Sequence, residues 1–240
     1  MVYSTGMATL SRPTRNAPAP KRSRPWETHR RELLIAAAAL GLALLIWIVW
    51  PSPYSKVVNL DSRGASIIAF GDSLTAGYGA GPGEDYPSRV SAILGTPIIN
   101  AGVSGDTTDM ALARIDNDVL AQNPRIVIVG LGGNDFLRGV PIESTESNLR
   151  SIIRKIHGAG AMVVLIGFQF PSLNAHYDTM YAAVAKDEGC LLITKTLKGV
   201  LTDSSLKSDA IHPNARGYQI MAERVAKPLA KLIHKADARR

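Results

Sequence analysis

Short apolar runs alternate with longer segments of mixed polarity along the chain from about residue 65 onwards. The apolar runs are mostly rich in β-branched residues and are bounded by glycine, proline or asparagine, which is typical of buried parallel strands. They lie at residues 65–70, 97–101, 126–130, 161–167 and 190–194. We therefore predict one strand in each of these five runs.

The segments between the runs show helical spacing. In the segment 144–157, apolar side chains follow Leu149 at positions i+3, i+4 and i+7, which places them on one face of a helix. The predicted helices cover residues 87–94, 107–122, 144–157, 177–188 and 215 to about 233. Asn214 is a plausible N-cap of the last helix, and Pro228 is expected to kink or interrupt it. Strand–helix alternation predicts an α/β fold, a three-layer sandwich around a five-stranded parallel sheet.

Residues 33–50 form an uninterrupted apolar run without a charged side chain. As a helix it would span roughly 27 Å, close to the hydrocarbon thickness of a bilayer. Arg30 and Arg31 precede it, whereas Trp47, Trp50 and Tyr54 lie at its other end like an interfacial belt. We predict a transmembrane helix, with the preceding residues in the cytoplasm and those after residue 51 outside it, in a single-pass membrane protein.

A cleaved signal peptide is the competing interpretation of this run. Its apolar region would be shorter, about 7–15 residues, and a small-residue cleavage site would follow it. The sequence Trp50-Pro51-Ser52-Pro53-Tyr54 is a poor cleavage site. The predicted organisation is therefore a disordered tail (1–32), a transmembrane anchor (33–50), a tether (51–64) and a globular domain (65–240).

Charge is concentrated in the tail. Residues 1–32 carry seven basic side chains against two acidic ones, so they account for five of the seven net positive charges of the 240-residue chain. Nucleic-acid binding would need a basic face on the folded domain, and we expect none. The single cysteine, Cys190, excludes an intrachain disulfide and is predicted to be buried.

Four short motifs carry the candidate chemistry. They are Gly71-Asp72-Ser73-Leu74, Gly105, Gly132-Gly133-Asn134-Asp135 and Asp209-Ala210-Ile211-His212. A serine hydroxyl becomes a good nucleophile when an imidazole takes its proton, and a carboxylate fixes the tautomer of that imidazole. Ser73, His212 and Asp209 supply these three groups. Ser73, Gly105 and Asn134 each follow a predicted strand, where ligands bind in parallel sheets.

These motifs resemble the SGNH (GDSL) hydrolase superfamily in identity, order and approximate spacing, over roughly residues 65–235. The longer runs around them are similar to its bacterial multifunctional thioesterase/protease/lysophospholipase branch, which implies that the membrane of the predicted helix is a bacterial inner membrane. The resemblance implies a flavodoxin-like fold, Ser73 as nucleophile, His212 as general base and acid, and Asp209 as its orienting carboxylate. It also implies an oxyanion hole made by the Ser73 amide, the Gly105 amide and the Asn134 side chain.

The implied activity is serine-dependent hydrolysis of small-molecule or lipid esters or thioesters through an acyl-enzyme on Ser73. No cofactor is expected, and no metal-binding motif is present. A carbohydrate O-acetylesterase and a non-catalytic, membrane-anchored binding module are the alternatives. Asp72, Asp106 and Asp135 are expected to bind loop amides, and the glycine-rich stretch 77–83 to form a flexible loop at the rim.

Phe136 and Leu137 closely follow Asn134 and have two possible roles. Large apolar side chains normally turn into the core. The acyl chain of a substrate bound at Asn134 would also lie nearby, so the two side chains are candidate substrate-binding residues.

Overall fold

The computed structural model of the protein describes residues 25–49, 52–168 and 175–240, divided between two units, Met1–Pro51 and Ser52–Arg240. In the first unit, helix α1 runs from Pro25 to Val49, so residues 25–32 of the expected tail are helical. The rest of the tail lies outside the described residues, as do the side chains of Trp47 and Trp50. Among the helices described, none is sufficiently long and apolar to cross a bilayer, so the predicted transmembrane helix is not supported.

The second unit contains a five-stranded, entirely parallel sheet, as predicted. Its strands are β1 (Ser66–Gly71), β2 (Ile98–Gly102), β3 (Pro124–Gly130), β4 (Met162–Ile166) and β5 (Leu191–Ile193). The spatial order β2-β1-β3-β4-β5 is the flavodoxin-like order. Because the chain changes direction across the sheet between β1 and β3, ligands are expected beyond the carboxyl ends of these two strands.

Helices cover both faces of the sheet. They are α2 (Ser73–Ala76), α3 (Tyr86–Leu94), α4 (Thr108–Asp118), α5 (Gly133–Leu137), α6 (Ile142–Gly158), α7 (Ala175–Glu188) and α8 (Ala215–Asp237). Alternate strand residues face opposite layers: Ile126 and Ile128 pack with α3 and α8, whereas Val127 and Val129 pack with α4, α6 and α7. This arrangement confirms the three-layer sandwich.

Pro228 does not interrupt the last helix, contrary to the sequence prediction. Helix α8 is continuous from Ala215 to Asp237 with the proline inside it. An interior proline costs about 3 kcal/mol, whereas burying one large aliphatic side chain contributes about 1.5–3 kcal/mol. Val225, Leu229 and Leu232 are fully buried on both sides of the proline. Their packing outweighs the lost hydrogen bond.

Residues 52–64, expected as a tether, pack against the domain. Val57 and Leu60 are buried, and the Asn59 side chain donates hydrogen bonds to the His157 and Ala161 carbonyl oxygens at 3.0 Å each. Arg240, beyond the end of α8, donates to the Ser62 carbonyl oxygen at 2.7 Å. The segment is therefore part of the folded unit rather than a free connection.

Candidate active site

Ser73 is held by a sharp turn between β1 and α2. Asp72 is the N-cap of α2 and accepts a hydrogen bond from the Leu74 amide at 3.0 Å. The turn requires glycine at the end of β1, because a Cβ on Gly71 would lie 2.5 Å from the Gly130 carbonyl oxygen. The strand end and the capped helix together fix Ser73 at the carboxyl edge of the sheet.

Ser73, His212 and Asp209 form a connected chain of hydrogen bonds. The Ser73 Oγ lies 2.9 Å from His212 Nε2, and His212 Nδ1 lies 2.7 Å from Asp209 Oδ2. A proton on Nδ1, facing the carboxylate, leaves Nε2 as the acceptor for the Ser73 hydroxyl. This is the geometry in which an imidazole removes the proton of a serine.

Asp209 and His212 belong to one tight turn. Asp209 Oδ1 accepts hydrogen bonds from the Ile211 and His212 amides at 2.9 and 2.8 Å. The turn is closed by an antiparallel bridge between Lys207 and Pro213, and the Ser208 amide donates to the His212 carbonyl oxygen at 3.0 Å. The expectation that the carboxylate curls back onto the imidazole is met.

The pKa of Asp209 is lowered. Partial burial raises it, but hydrogen bonds from the Ile211 amide, the His212 ring and the His212 amide outweigh that effect. The side chain is therefore a carboxylate at neutral pH and can stabilise a protonated His212.

Asn134 and Gly105 lie beyond the ends of β3 and β2, on either side of β1. The Asn134 Nδ2 donates to the Asp106 carbonyl oxygen at 2.9 Å, which fixes the orientation of the side-chain amide. Since a primary amide carries two N–H bonds, Asn134 retains a donor for a ligand. Gly105 has φ +87°, a conformation that favours glycine.

The three neighbouring aspartates have structural roles, and two of them, Asp72 and Asp135, bind backbone amides as expected. Asp135 is fully buried and accepts hydrogen bonds from the Thr108 amide at 2.9 Å and the Thr108 hydroxyl at 2.6 Å. Asp106 accepts from the Arg114 guanidinium at 2.6 Å instead of from an amide. Asp72, described above, caps α2.

Arg114 helps to hold the site together, and the sequence prediction missed it. Its Nη2 donates to the Gly71 and Ala101 carbonyl oxygens at 3.1 Å each, and its guanidinium lies 4.4 Å from the centre of the Phe70 ring. One side chain thus joins the carboxyl ends of β1 and β2. The signal was a basic residue on the same helical face as the buried Ala111 and Ile115.

The glycine-rich stretch 77–83 lies at the rim of the site, but specific contacts hold it. The Tyr78 ring lies 4.6 Å from the His212 ring, and the Tyr218 hydroxyl donates to the Tyr78 carbonyl oxygen at 2.9 Å. Gly79 has φ +90°, and a Cβ there would lie 2.0 Å from Ser208 Oγ. The loop therefore packs against the turn that carries His212.

Phe136 and Leu137 differ in their surroundings. Phe136 is half-buried against the core, and its ring meets the Tyr177 ring edge-on at 5.5 Å. Leu137 is 53% exposed. Phe136 therefore packs into the core, which is the first of its two possible roles. Leu137 remains available to a ligand.

Asp72 gives the fold a pH-dependent stability. Burial raises its pKa to about 7, the Leu74 hydrogen bond opposes this rise, and the charges of Asp106 and Asp135 add to it. In an unfolded chain an aspartate titrates near pH ~3.9. Between these values the folded protein keeps a proton that the unfolded chain releases, so the free energy of unfolding falls as pH rises.

Asp72→Asn should therefore flatten the decline in melting temperature between pH 5 and pH 8, because asparagine can still cap α2 and does not ionise. Thermal unfolding of the two proteins across this range measures the effect. Asp203→Asn is the matched control, since the pKa of that exposed carboxyl is lowered, chiefly by the Ser205 amide. An unchanged slope in Asp72→Asn would show that Asp72 is ionised in the fold.

Comparison with known proteins agrees with this geometry. The model of the GDSL-like lipase/acylhydrolase family matches residues 69–220. Thioesterase 1/protease 1/lysophospholipase L1 of Escherichia coli (strain K12) is 32% identical over 77% of this chain and 94% of its own length. Esterase TesA of Pseudomonas aeruginosa is 30% identical over 74% of this chain and 94% of its own length.

A solved structure shows the same similarity. The crystal structure of AlinE4, an SGNH-hydrolase family esterase, has a TM-score of 0.56 and 37% identity, and the match covers 71% of this chain and 98% of AlinE4. The family match, the similar relatives and the arrangement of Ser73, His212 and Asp209 all agree. This protein belongs to the GDSL-like lipase/acylhydrolase family, the SGNH hydrolases.

Proposed function

We propose that this SGNH hydrolase cleaves carboxylic esters or thioesters through an acyl-enzyme on Ser73. The observation that carries the proposal is the hydrogen-bonded series Ser73 Oγ, His212 Nε2 and Asp209, with distances of 2.9 and 2.7 Å. An imidazole in this position converts a weak hydroxyl nucleophile into an effective one.

The reaction proceeds in two halves. The Ser73 Oγ attacks the acyl carbonyl carbon while His212 Nε2 takes the hydroxyl proton, and the ionised Asp209 stabilises the resulting imidazolium. His212 then delivers this proton to the leaving alcohol or thiol as the bond to the carbonyl carbon breaks. Water attacks the acyl-enzyme in the same way, with His212 as base, and releases the acid and free Ser73.

The oxyanion of each tetrahedral intermediate binds to three N–H donors in this proposal. They are the Ser73 amide, the Gly105 amide and the second N–H of Asn134. Donors aimed at a developing negative charge stabilise the transition state more than the substrate. Their placement after three adjacent strands, β2, β1 and β3, supports this assignment.

The substrates that we propose have an apolar acyl or aryl part, as in lysophospholipids, thioesters and aryl esters. Names of the similar relatives, a thioesterase/lysophospholipase and an esterase, support this choice. Exposed apolar side chains on segments that contribute to the site support it too. Tyr78, Val103, Met110 and Leu137 are 55, 43, 48 and 53% exposed.

Hydrolysis of p-nitrophenyl acetate, with and without a phosphonate that reacts with active serines, tests the activity. We expect turnover that stops when one phosphonate is bound per chain, with the label on Ser73. A protein that neither hydrolyses the ester nor incorporates the phosphonate would be a binding module instead.

Leu137 is proposed to contact the acyl chain, and Leu137→Ala should change chain-length preference. An apolar contact contributes about 0.8 kcal/mol per buried methylene, so the ratio of kcat/KM between octanoyl and acetyl p-nitrophenyl esters should fall several-fold. The melting temperature should change little because the side chain is exposed. Phe136→Ala is the comparison, and it should lower the melting temperature because the ring that it removes is partly buried. An unchanged ratio in Leu137→Ala would exclude the acyl-chain contact.

We propose that the domain lies outside the cytoplasm, because basic residues followed by an apolar run, here at 33–50, are also the pattern of an export signal, which needs no spanning helix in the mature protein. A reporter that is active only outside the cytoplasm, fused after Arg240, tests it. An inactive reporter on an expressed, intact fusion would contradict it.

A further inference from the structure

Helix α5 contacts two consecutive carbonyl groups of the segment that carries Gly105. Asn134, in its first turn, donates to the Asp106 carbonyl oxygen at 2.9 Å. Arg138 follows the last residue of α5, and its Nη2 donates to the Gly105 carbonyl oxygen at 2.7 Å. The Arg138 amide also bonds to the Asn134 carbonyl oxygen at 3.0 Å, so the two side chains are fixed one helical turn apart.

The segment from Val103 to Asp106 is a β-turn whose central peptide bears the Gly105 N–H. The Asp106 amide donates to the Val103 carbonyl oxygen at 3.2 Å, which closes the turn. Gly105 has φ +87°, and Ser104 keeps a negative φ, the combination found in a type II turn. Type I and type II turns differ by a flip of this central peptide, so the turn type decides which way the Gly105 N–H points.

Contacts hold the peptide groups on both sides of this donor. Before the turn, the Val103 amide donates to the Gly71 carbonyl oxygen at the end of β1 at 3.0 Å. After the donor, both polar groups of the peptide between Gly105 and Asp106 are hydrogen-bonded. The N–H of this peptide donates to the Val103 carbonyl oxygen, and its carbonyl oxygen accepts from Arg138. Arg138 is thus the side chain that restrains the carbonyl of Gly105 itself.

Arg138 is unusual among the arginines near the site because it is exposed and held by neutral groups. Its Nη1 lies 3.9 Å from the Met110 sulfur, and no carboxylate of the described residues lies within 4.0 Å of its guanidinium. By contrast, Arg114 is partly buried and pairs with Asp106 and Asp118. A charged guanidinium makes a stronger hydrogen bond to a carbonyl than a neutral donor does.

We propose that Arg138 is a positioning residue for the oxyanion hole, which keeps the Gly105 N–H directed at the substrate oxygen. The inference rests on the proposed function, because it assigns a role to the Gly105 donor in that reaction. Arg138 acts through the turn and does not contact the reacting atoms.

Arg138→Ala should lower kcat for p-nitrophenyl acetate about tenfold with little change in KM, because a misdirected donor costs less than the roughly 10²–10³-fold loss of a missing one. Arg138→Lys keeps a charged donor and should recover part of the rate. Arg138→Gln supplies a neutral donor and should recover less than lysine. The exposed Arg154, on α6, supplies the matched control Arg154→Ala, which should keep the wild-type rate.

The diagnostic measurement compares the ester with its thionoester, in which sulfur replaces the carbonyl oxygen and accepts hydrogen bonds weakly. If Arg138 acts through the Gly105 donor, Arg138→Ala should slow the ester but hardly the thionoester, whose sulfur gains little from that donor. The ratio of kcat for the ester to kcat for the thionoester should then fall by about the same factor as kcat for the ester. A merely structural role, or a contact with the leaving group, would lower both rates alike and leave the ratio unchanged.

An unchanged ratio, or a raised KM with unchanged kcat, overturns the proposal and marks Arg138 as a substrate-binding or stabilising residue. Ser73→Ala, measured in parallel, separates this failure from failure of the proposed function. If Ser73→Ala is inactive and Arg138→Ala behaves like the wild type, only the role of Arg138 is wrong. If Ser73→Ala keeps its activity, the acyl-enzyme mechanism itself is wrong.

Discussion

Ser73→Ala should abolish ester hydrolysis, with a loss of about 10⁴-fold or more in kcat while the fold is kept. The reason is that the only hydroxyl within hydrogen-bonding distance of His212 Nε2 in the described structure belongs to Ser73, at 2.9 Å. Removing it leaves the base without a nucleophile to activate. The rate of p-nitrophenyl acetate hydrolysis measures the effect.

Two controls make this result interpretable. Within the described residues the Ser73 hydroxyl bonds to His212, and Asp72 rather than Ser73 caps α2, so the melting temperature of Ser73→Ala should stay near that of the wild type. Ser151→Ala removes an exposed serine hydroxyl on α6 and should leave the rate unchanged. Turnover near the wild-type rate in purified Ser73→Ala would refute the assigned mechanism.

Asn134→Ala should lower kcat by about 10²–10³-fold and change KM much less, because an oxyanion donor acts mainly on the transition state. The substitution also frees the Asp106 carbonyl oxygen from its 2.9 Å hydrogen bond. Asn134→Asp also removes both N–H donors. It keeps the size of the side chain but places negative charge beside the oxyanion, so it should be at least as inactive as alanine.

Steady-state kinetics with a short p-nitrophenyl ester test this prediction. Asn148→Ala is the control, because the Asn148 amide bonds to the Thr108 hydroxyl at 3.2 Å and has no place in the proposed oxyanion hole. A loss confined to KM would identify Asn134 as a residue that binds the ground state of the substrate.

The central architecture could be predicted from sequence because burial and periodicity specify it. The apolar run at 126–130 lies within β3, and the face that begins at Leu149 is the buried face of α6. The site also followed, since the turn from Asp209 to His212 is local in sequence. The contact of this turn with Ser73 is long-range, and the resemblance to the SGNH hydrolases, rather than any local pattern, predicted it.

Other features depend on tertiary contacts that leave little trace in sequence. Helices α2 and α5 are too short to show a periodic pattern, and each is defined by its position after a strand. Pro228 stays inside α8 because of packing on both sides of it. The contacts of Arg114 with two strand ends, and the packing of Val57 and Leu60, likewise require the folded neighbours.

The turn closed by Lys207 and Pro213 also limits how the catalytic groups can come apart. His212 and Asp209 are bound to each other within four residues of chain, so thermal motion of this loop displaces them together. The triad therefore opens mainly by a change in the distance between Ser73 Oγ and His212 Nε2. Its assembly requires the ordering of one loop instead of two separate loops, so less conformational entropy is lost. Two contacts restrain this same distance. The Tyr78 ring packs against the His212 ring, and the Tyr218 hydroxyl donates a hydrogen bond to the Tyr78 carbonyl oxygen.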